Sequence, residues 1–194
     1  MGLLVMIAGL VLFFGAHTLT TRRALRARLI ASIGESGYKI GYALVSLVGL
    51  ALIVWGFSHY RAAGMWPVWS PPKALKHLNT ALMLPAVILV VAAYLRGRIY
   101  TALKHPMLAG VKLWAFGHLL ANGDLGGIIL FGSILAWAVF DRITLKRRSD
   151  AGAPAIPSGG RRNDVIAVVV GTLLYLALGF WFHPYLIGLR VFGS

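Results

Sequence analysis

"KHPMLAGVKLWAFGHLLANGD", residues 104–124, places two histidines, two lysines, an asparagine and an aspartate in an otherwise oily segment. Pro106 suits a first helical turn, where its missing N–H costs nothing, and His105 then takes the cap position. A helix from Pro106 to Ala121 follows, and Asn122-Gly123 is a turn signal. Sixteen residues at about 1.5 Å each cover about 24 Å, less than the roughly 30 Å of a bilayer's hydrocarbon. A hairpin this short draws its tip below the membrane surface. His118, Asn122 and Asp124 then sit at a depth where polar groups are costly and are found mainly at working sites, which makes them candidate catalytic residues. A shallower, re-entrant hairpin over 106–140 leaves the same charges in the loops.

The rest of the chain supports lipid as the solvent. Of 194 residues, 59% are hydrophobic and only 12% charged, about half the charged fraction of a soluble domain. The apolar residues come in long runs instead of a period of 2 or 3.6. Six runs are expected to cross as helices: 2–19, 40–57, 78–95, 106–121, 125–140 and 165–182. The expected fold is an all-α polytopic membrane bundle, a single integral domain over 1–194. The first run lacks a basic leader and a small-residue cleavage site, so it reads as a retained span.

Threading the six runs alternately divides the 19 lysines and arginines sharply. One side receives Arg22, Arg23, Arg26, Arg28, Lys39, Arg96, Arg98, Lys104, Lys112, Arg142, Lys146, Arg147, Arg148, Arg161 and Arg162; the other receives Arg61, Lys73, Lys76 and Arg190. The basic side is expected in the cytoplasm and both termini in the periplasm of a bacterial inner membrane. The net charge of +14 is thereby explained without nucleic acid, since the cations flank oily spans and do not stripe one face. The basic Gly/Pro/Ser-rich loop 146–164 is expected to be mobile and to lie on anionic lipid at the cytoplasmic face. In the loop 59–77, Trp66 and Trp69 suit the interfacial aromatic belt.

With no cysteine, iron–sulfur clusters, thiolate-ligated haem and Cys-type zinc sites are excluded. Five acidic residues argue against an all-carboxylate dimetal centre. Imidazole is left. His105 and His118 are thirteen residues apart, about 20 Å along a straight helix, and cannot share a metal. His17, in "FFGAHTLTTRR", is expected near the depth of His105, and two imidazoles on different helices make a candidate axial pair for a b-type haem. Lys112, Arg96, Arg98 and Arg22 are candidate cations for its propionates. His59, His77 and His183 map to the opposite boundary. There they read as polar tips of interfacial helices, with an external metal or quinone site including His118 as the alternative.

"GLVLFFGAH", "LVSLVGLALIVWGF", "LMLPAVILVVAAYLRGRI", "KHPMLAGVKLWAFGHLLANGDL" and "LAWAVFDRI" together resemble the bacterial NnrU family over most of the chain, least in 146–164. The resemblance implies a multi-pass inner-membrane protein associated with nitrite and nitric oxide metabolism in denitrifiers. More distantly, the pattern is similar to plant zeta-carotene isomerase, which implies haem b held by histidines and isomerisation of a polyene. The matching pieces are "GAH" with His17, "KHPMLAG" with His105 and "GHLLANGD" with His118, and the match does not fix which are axial. The H-P-x-x-x-G pattern is also similar to isoprenylcysteine methyltransferases, but no acidic residue follows Asp164.

Three functions compete at this point. One is a haem protein with redox or isomerase chemistry on a membrane-soluble substrate. The second is a non-enzymatic accessory or assembly factor for a nitrogen-oxide reductase or another membrane redox partner. The third is a transporter, which the lack of an evident repeat disfavours.

Overall fold

A computed structural model of the chain describes residues 1–147, 156 and 159–192. As expected, the fold is all-α. Its helices are α1 (Gly2–Thr21), α2 (Arg23–Ala62), α3 (Lys73–Leu95), α4 (Arg98–Leu103), α5 (Pro106–Ala121), α6 (Leu125–Arg147) and α7 (Arg161–Ala177), and a π-helical segment, Leu178–Ile187, continues α7. Among the described residues, five helices are long and apolar enough to cross a membrane: α1, α2, α3, α6 and α7 with its π extension. The remaining expected span, α5, forms with the expected bounds but has only 16 residues. Large apolar side chains such as Leu4, Leu47, Val54, Leu173 and Trp181 are exposed, and no polar or charged residue is buried among those described. An oily outside of this kind belongs to a membrane protein.

The helix α2 runs further than its apolar stretch. The basic segment after Arg22, expected as a loop, is helical up to a break at Gly34 (φ 76°, ψ 162°). Ala, Leu and Arg favour helix there; Arg23 and Arg28 stay exposed, and the half-buried Arg26 lies over the Tyr38 ring. The proposed lipid-binding loop 146–164 falls, at 148–155, 157 and 158, outside the described residues.

The helices form two compact units, Met1–Trp69 with Asp124–Ser133, and Ser70–Gly123 with Ile134–Ser194. In the first, α1 packs antiparallel on α2 through glycines spaced seven apart. A Cβ on Gly2 would stand 2.7 Å from the Gly56 carbonyl oxygen, and one on Gly56 2.8 Å from that of Gly2. Gly9 and Gly49 repeat the arrangement, at 2.8 and 3.1 Å. Seven residues are close to two helical turns, so both glycines of each helix share a face. Lipid tails are as apolar as leucine, so burial gives little drive between helices; van der Waals contact between closely approaching backbones supplies it instead. Met6, fully buried, fills the space between the two crossings. At the far end of α2 the Tyr60 ring lies over Gly126. Its hydroxyl accepts the Trp66 N–H at 2.9 Å, and the Trp66 carbonyl accepts the Leu125 N–H at 2.9 Å. The loop is thus pinned by its backbone while the Trp66 indole stays exposed.

The second unit packs α5 and α7 against α3. Gly110 and Gly117, again seven apart, take α5 onto α3, where a Cβ would come within 2.7 Å of the Ala86 carbonyl oxygen and 2.5 Å of Asn79 Oδ1. Neither glycine breaks the helix. Gly171 brings α7 within similar reach of the Ile88 backbone. Where α3 ends, in a left-handed Arg96, two side chains from α7 complete the exposed backbone. Asn163 Nδ2 donates to the Leu95 carbonyl (2.6 Å), and Asp164 Oδ1 accepts the Ile99 N–H (2.9 Å), meeting the unfilled groups of two helix ends.

Glycine-to-alanine changes therefore have a position-dependent sign. Gly15 has open space around its missing Cβ, so Gly15→Ala is expected to be neutral or to stabilise by up to about 1 kcal/mol through helix propensity. Gly56→Ala forces a methyl against the Met6 backbone and is expected to destabilise by about 1–3 kcal/mol. Unfolding of the two variants in detergent checks this; equal stabilities contradict it.

Candidate functional site

A histidine in hydrocarbon must satisfy its ring N–H locally or bear the desolvation cost. Four histidines do so in the same way. Nδ1 donates to the Phe13 carbonyl in His17 (2.7 Å), to Trp55 in His59 (3.0 Å), to Trp114 in His118 (2.9 Å) and to Leu178 in His183 (2.8 Å). A carbonyl can only accept, so Nδ1 carries the proton and Nε2 is the basic nitrogen of each ring. That arrangement also orients and primes an imidazole for ligation at Nε2.

In the first unit the half-buried His17 ring stacks on Phe13, centroids 4.0 Å apart, with Tyr42 at 5.3 Å. In the second, His105 caps α5 immediately before the buried Pro106. Its surroundings hold its pKa below the ordinary histidine value, chiefly through desolvation, then through the Arg142 charge, with Asp141 opposing and Lys104 adding slightly. Imidazole is therefore favoured over imidazolium, the form that ligation requires. Arg96 and Arg98, at the junction of α3 and α4, are exposed, and Lys112 is half-buried in α5. His17 and His105 belong to different units.

The three candidate catalytic residues are placed separately. His118 lies in the second unit, against the Trp114 ring at 4.9 Å. Asn122 ends α5 and donates its Nδ2 to the His118 carbonyl at 2.8 Å. Asp124 lies in the first unit, where Oδ1 accepts the Gly127 N–H at 2.8 Å and caps α6, the usual work of an aspartate at that position.

The sequence pattern of the NnrU protein family matches residues 5–191, nearly the whole chain. The chain belongs to the NnrU family. No curated protein and no solved structure matches it.

This NnrU chain also brings together a pair that sequence reading favoured leaving apart. The rings of His118 and His183 stand 6.5 Å apart between centroids, inclined by 24°. The π-helical turn is the cause of the placement, since it lets His183 Nδ1 reach the carbonyl five residues back. Pro184 beside it, inside a helix and without an N–H, was the available signal. Asn79 Oδ1, buried without a partner where α3 meets Gly117, carried no signal at all. Among the described residues no three or more His, Cys, Asp or Glu side chains gather as a metal site.

The electrostatics of His105 are open to measurement in the haem-free NnrU chain. Its folded pKa lies below the unfolded value of about 6.5, so its contribution to stability is fully present above that value. It is lost as pH falls through the lowered folded pKa. Arg142→Gln is expected to raise the pKa and Asp141→Asn to lower it further, as read by NMR titration of labelled histidine. Titration of His105 above 6.5 contradicts the assignment.

Proposed function

We propose that the chain is a multi-pass protein of the bacterial inner membrane that binds haem b. In this reading it serves nitrite and nitric oxide metabolism through redox or isomerase-type chemistry on a membrane-soluble substrate. Family membership, an apolar exterior and a donor set limited to imidazole support it. The observation that carries it is the His17 Nδ1 bond to the Phe13 carbonyl at 2.7 Å, a bond of the kind that orients a metal-ligating imidazole from behind. His17 and His105 are the proposed ligands. Arg96, Arg98 and Lys112 are the cations proposed for the propionates. Bound haem supplies an iron centre capable of one-electron chemistry. The chain's own residues favour neutral imidazole at His105, orient the ring of His17 and exclude water with apolar helices.

The topology proposed with this function counts α5 as a sixth span. Both termini then face the periplasm, and the basic side rests on anionic lipid. Of the three candidate catalytic residues, His118 is the one whose side chain is not occupied with a helix end, and any catalytic role narrows to it. That Asn122 and Asp124 complete helix termini favours the second reading, an accessory factor for a membrane nitrogen-oxide reductase.

The reduced-minus-oxidised absorption spectrum of the chain, purified after haem-replete expression, tests the proposal. Soret and α bands are expected, with haem retention falling at least tenfold in His17→Ala and in His105→Ala but not in His59→Ala. No Soret band in the wild type overturns the haem reading. Co-purification of a reductase subunit, with both alanine variants still functional, would select the accessory role.

A further inference from the structure

The far end of α7 builds two adjoining cavities that neither the haem reading nor the helix packing uses. Beyond the π-helical segment the chain reverses at Gly188, whose φ of 75° lies in the left-handed region that favours glycine. The Leu189 N–H then bonds back to the His183 carbonyl at 3.1 Å. Phe192 fastens the returning segment. Its ring packs against Gly179, where any Cβ would collide with it, and meets the rings of Phe180 at 4.7 Å and Tyr175 at 5.4 Å. Between this segment and the helix lies a cavity of about 420 Å³, lined by Phe180, Pro184, Tyr185, Arg190 and Phe192 among others. A second cavity, of about 380 Å³, shares Tyr185 with the first and is lined along the helix by Leu174, Leu178, Trp181 and Leu186.

The two cavities differ in chemistry. Apolar and aromatic side chains line the second throughout, whereas the first adds Arg190, the only charged residue lining either. Arg190 is exposed and forms no ion pair among the described residues. Depth matters as well. α7 and its π extension make one candidate span, Arg161–Ile187, so Arg190 stands just past its end, at headgroup level. From Leu174 to Leu186 the groove covers at most about 18 Å at an α-helical rise of about 1.5 Å per residue, comparable with half of a roughly 30 Å hydrocarbon core.

We propose that these cavities bind one anionic phospholipid, its acyl chain along the Leu174–Leu186 groove and its phosphate on Arg190. A guanidinium offers phosphate a planar fork of N–H donors, and the charge assists each bond. No carboxylate lines either cavity, so the ammonium group of a zwitterionic lipid finds no partner there. That difference selects a lipid of net negative charge. An interfacial aromatic belt accounts for the exposure of Trp181 and Tyr185. It does not account for a segment folded back through Gly188 and Phe192 to hold an arginine beside them. The π-helix fits the same picture, being an uncommon conformation that tends to mark working sites. The proposal requires only that the chain lies in a membrane, and it is independent of haem.

The test exploits the absence of cysteine from the chain. The full chain carrying Leu173→Cys, beside the groove without lining it, is labelled with a fluorophore and reconstituted in phosphatidylcholine vesicles. An increasing fraction of chain-brominated phosphatidylglycerol, or of phosphatidylcholine brominated alike, then quenches the label. Half-quenching is expected at about a fivefold lower fraction of phosphatidylglycerol, the weight of one cation beside anionic lipid. A label on Leu47→Cys, exposed in the first unit, should show no such preference. Arg190→Gln is expected to abolish the preference at Leu173→Cys, and Lys73→Gln, which removes an exposed cation elsewhere in the second unit, to keep it. Equal quenching by the two lipids at Leu173→Cys, the same preference at Leu47→Cys, or a preference that survives Arg190→Gln would each overturn the site. Should Arg190→Gln fail to reconstitute, the comparison of Leu173→Cys with Leu47→Cys decides alone. Excess inorganic phosphate should leave the quenching unchanged; reversal by phosphate would mean that the headgroup alone is recognised, and would overturn the lipid assignment.

Discussion

Backbone touching backbone at glycine is the contact on which this fold depends. Helices surrounded by lipid gain little from hiding apolar side chains from one another, so a stable pair needs close approach and many dispersion contacts. Gly2 against Gly56 and Gly9 against Gly49 provide it in the first unit; Gly110 against the Ala86 carbonyl provides it in the second, where Gly117 makes room for the side chains of Asn79 and Met83. In both units the seven-residue spacing keeps the small residues on one face over two contacts. α1 needs no strong amphipathic pattern for this, because leucine and valine may face lipid on every other side.

The same solvent shapes the histidines. Hydrocarbon offers no water to an imidazole N–H, and four rings bond it to a carbonyl one turn back in their own helix, or five residues back where the helix widens. The bond that makes a histidine tolerable in lipid also holds its ring against its own helix. What separates the rings is company: His59 lies exposed beside Trp55, His17 is stacked on Phe13 with Tyr42 tilted beside it, and His118 lies near-parallel to His183.

Helix type, the bounds of α5 and its flanking turn were legible because long apolar runs and the Pro106 and Asn122-Gly123 signals act locally. The helical extension of α2 through 23–39 was not, since charged helix formers outside lipid resemble a basic loop when hydropathy is the guide. Asp124 looked like a site residue because it is an acid beside an oily hairpin; its bond to the Gly127 N–H is a cap, which the "NGDLGG" pattern also permits. The His118–His183 pair depends on a π-helical register around Pro184 and on α5 and α7 both packing on α3. No local spacing encodes contacts between residues so far apart in the chain. The glycine crossings were hidden for the same reason, although their seven-residue spacing is visible in "GLLVMIAG" and "GVKLWAFG" once the contact is known.

Cysteine cross-linking in native membranes tests the glycine crossing most directly, because the chain carries no cysteine of its own. A Cβ placed on Gly9 lies 2.9 Å from the Leu52 Cβ, about 0.6 Å inside the short end of disulfide spacing. Gly9→Cys with Leu52→Cys should close a bond on mild oxidation, and Gly15→Cys with Leu52→Cys should remain reduced. If the second pair cross-links and the first does not, α1 and α2 do not meet at these glycines, and backbone contact at glycine is not what holds the first unit together.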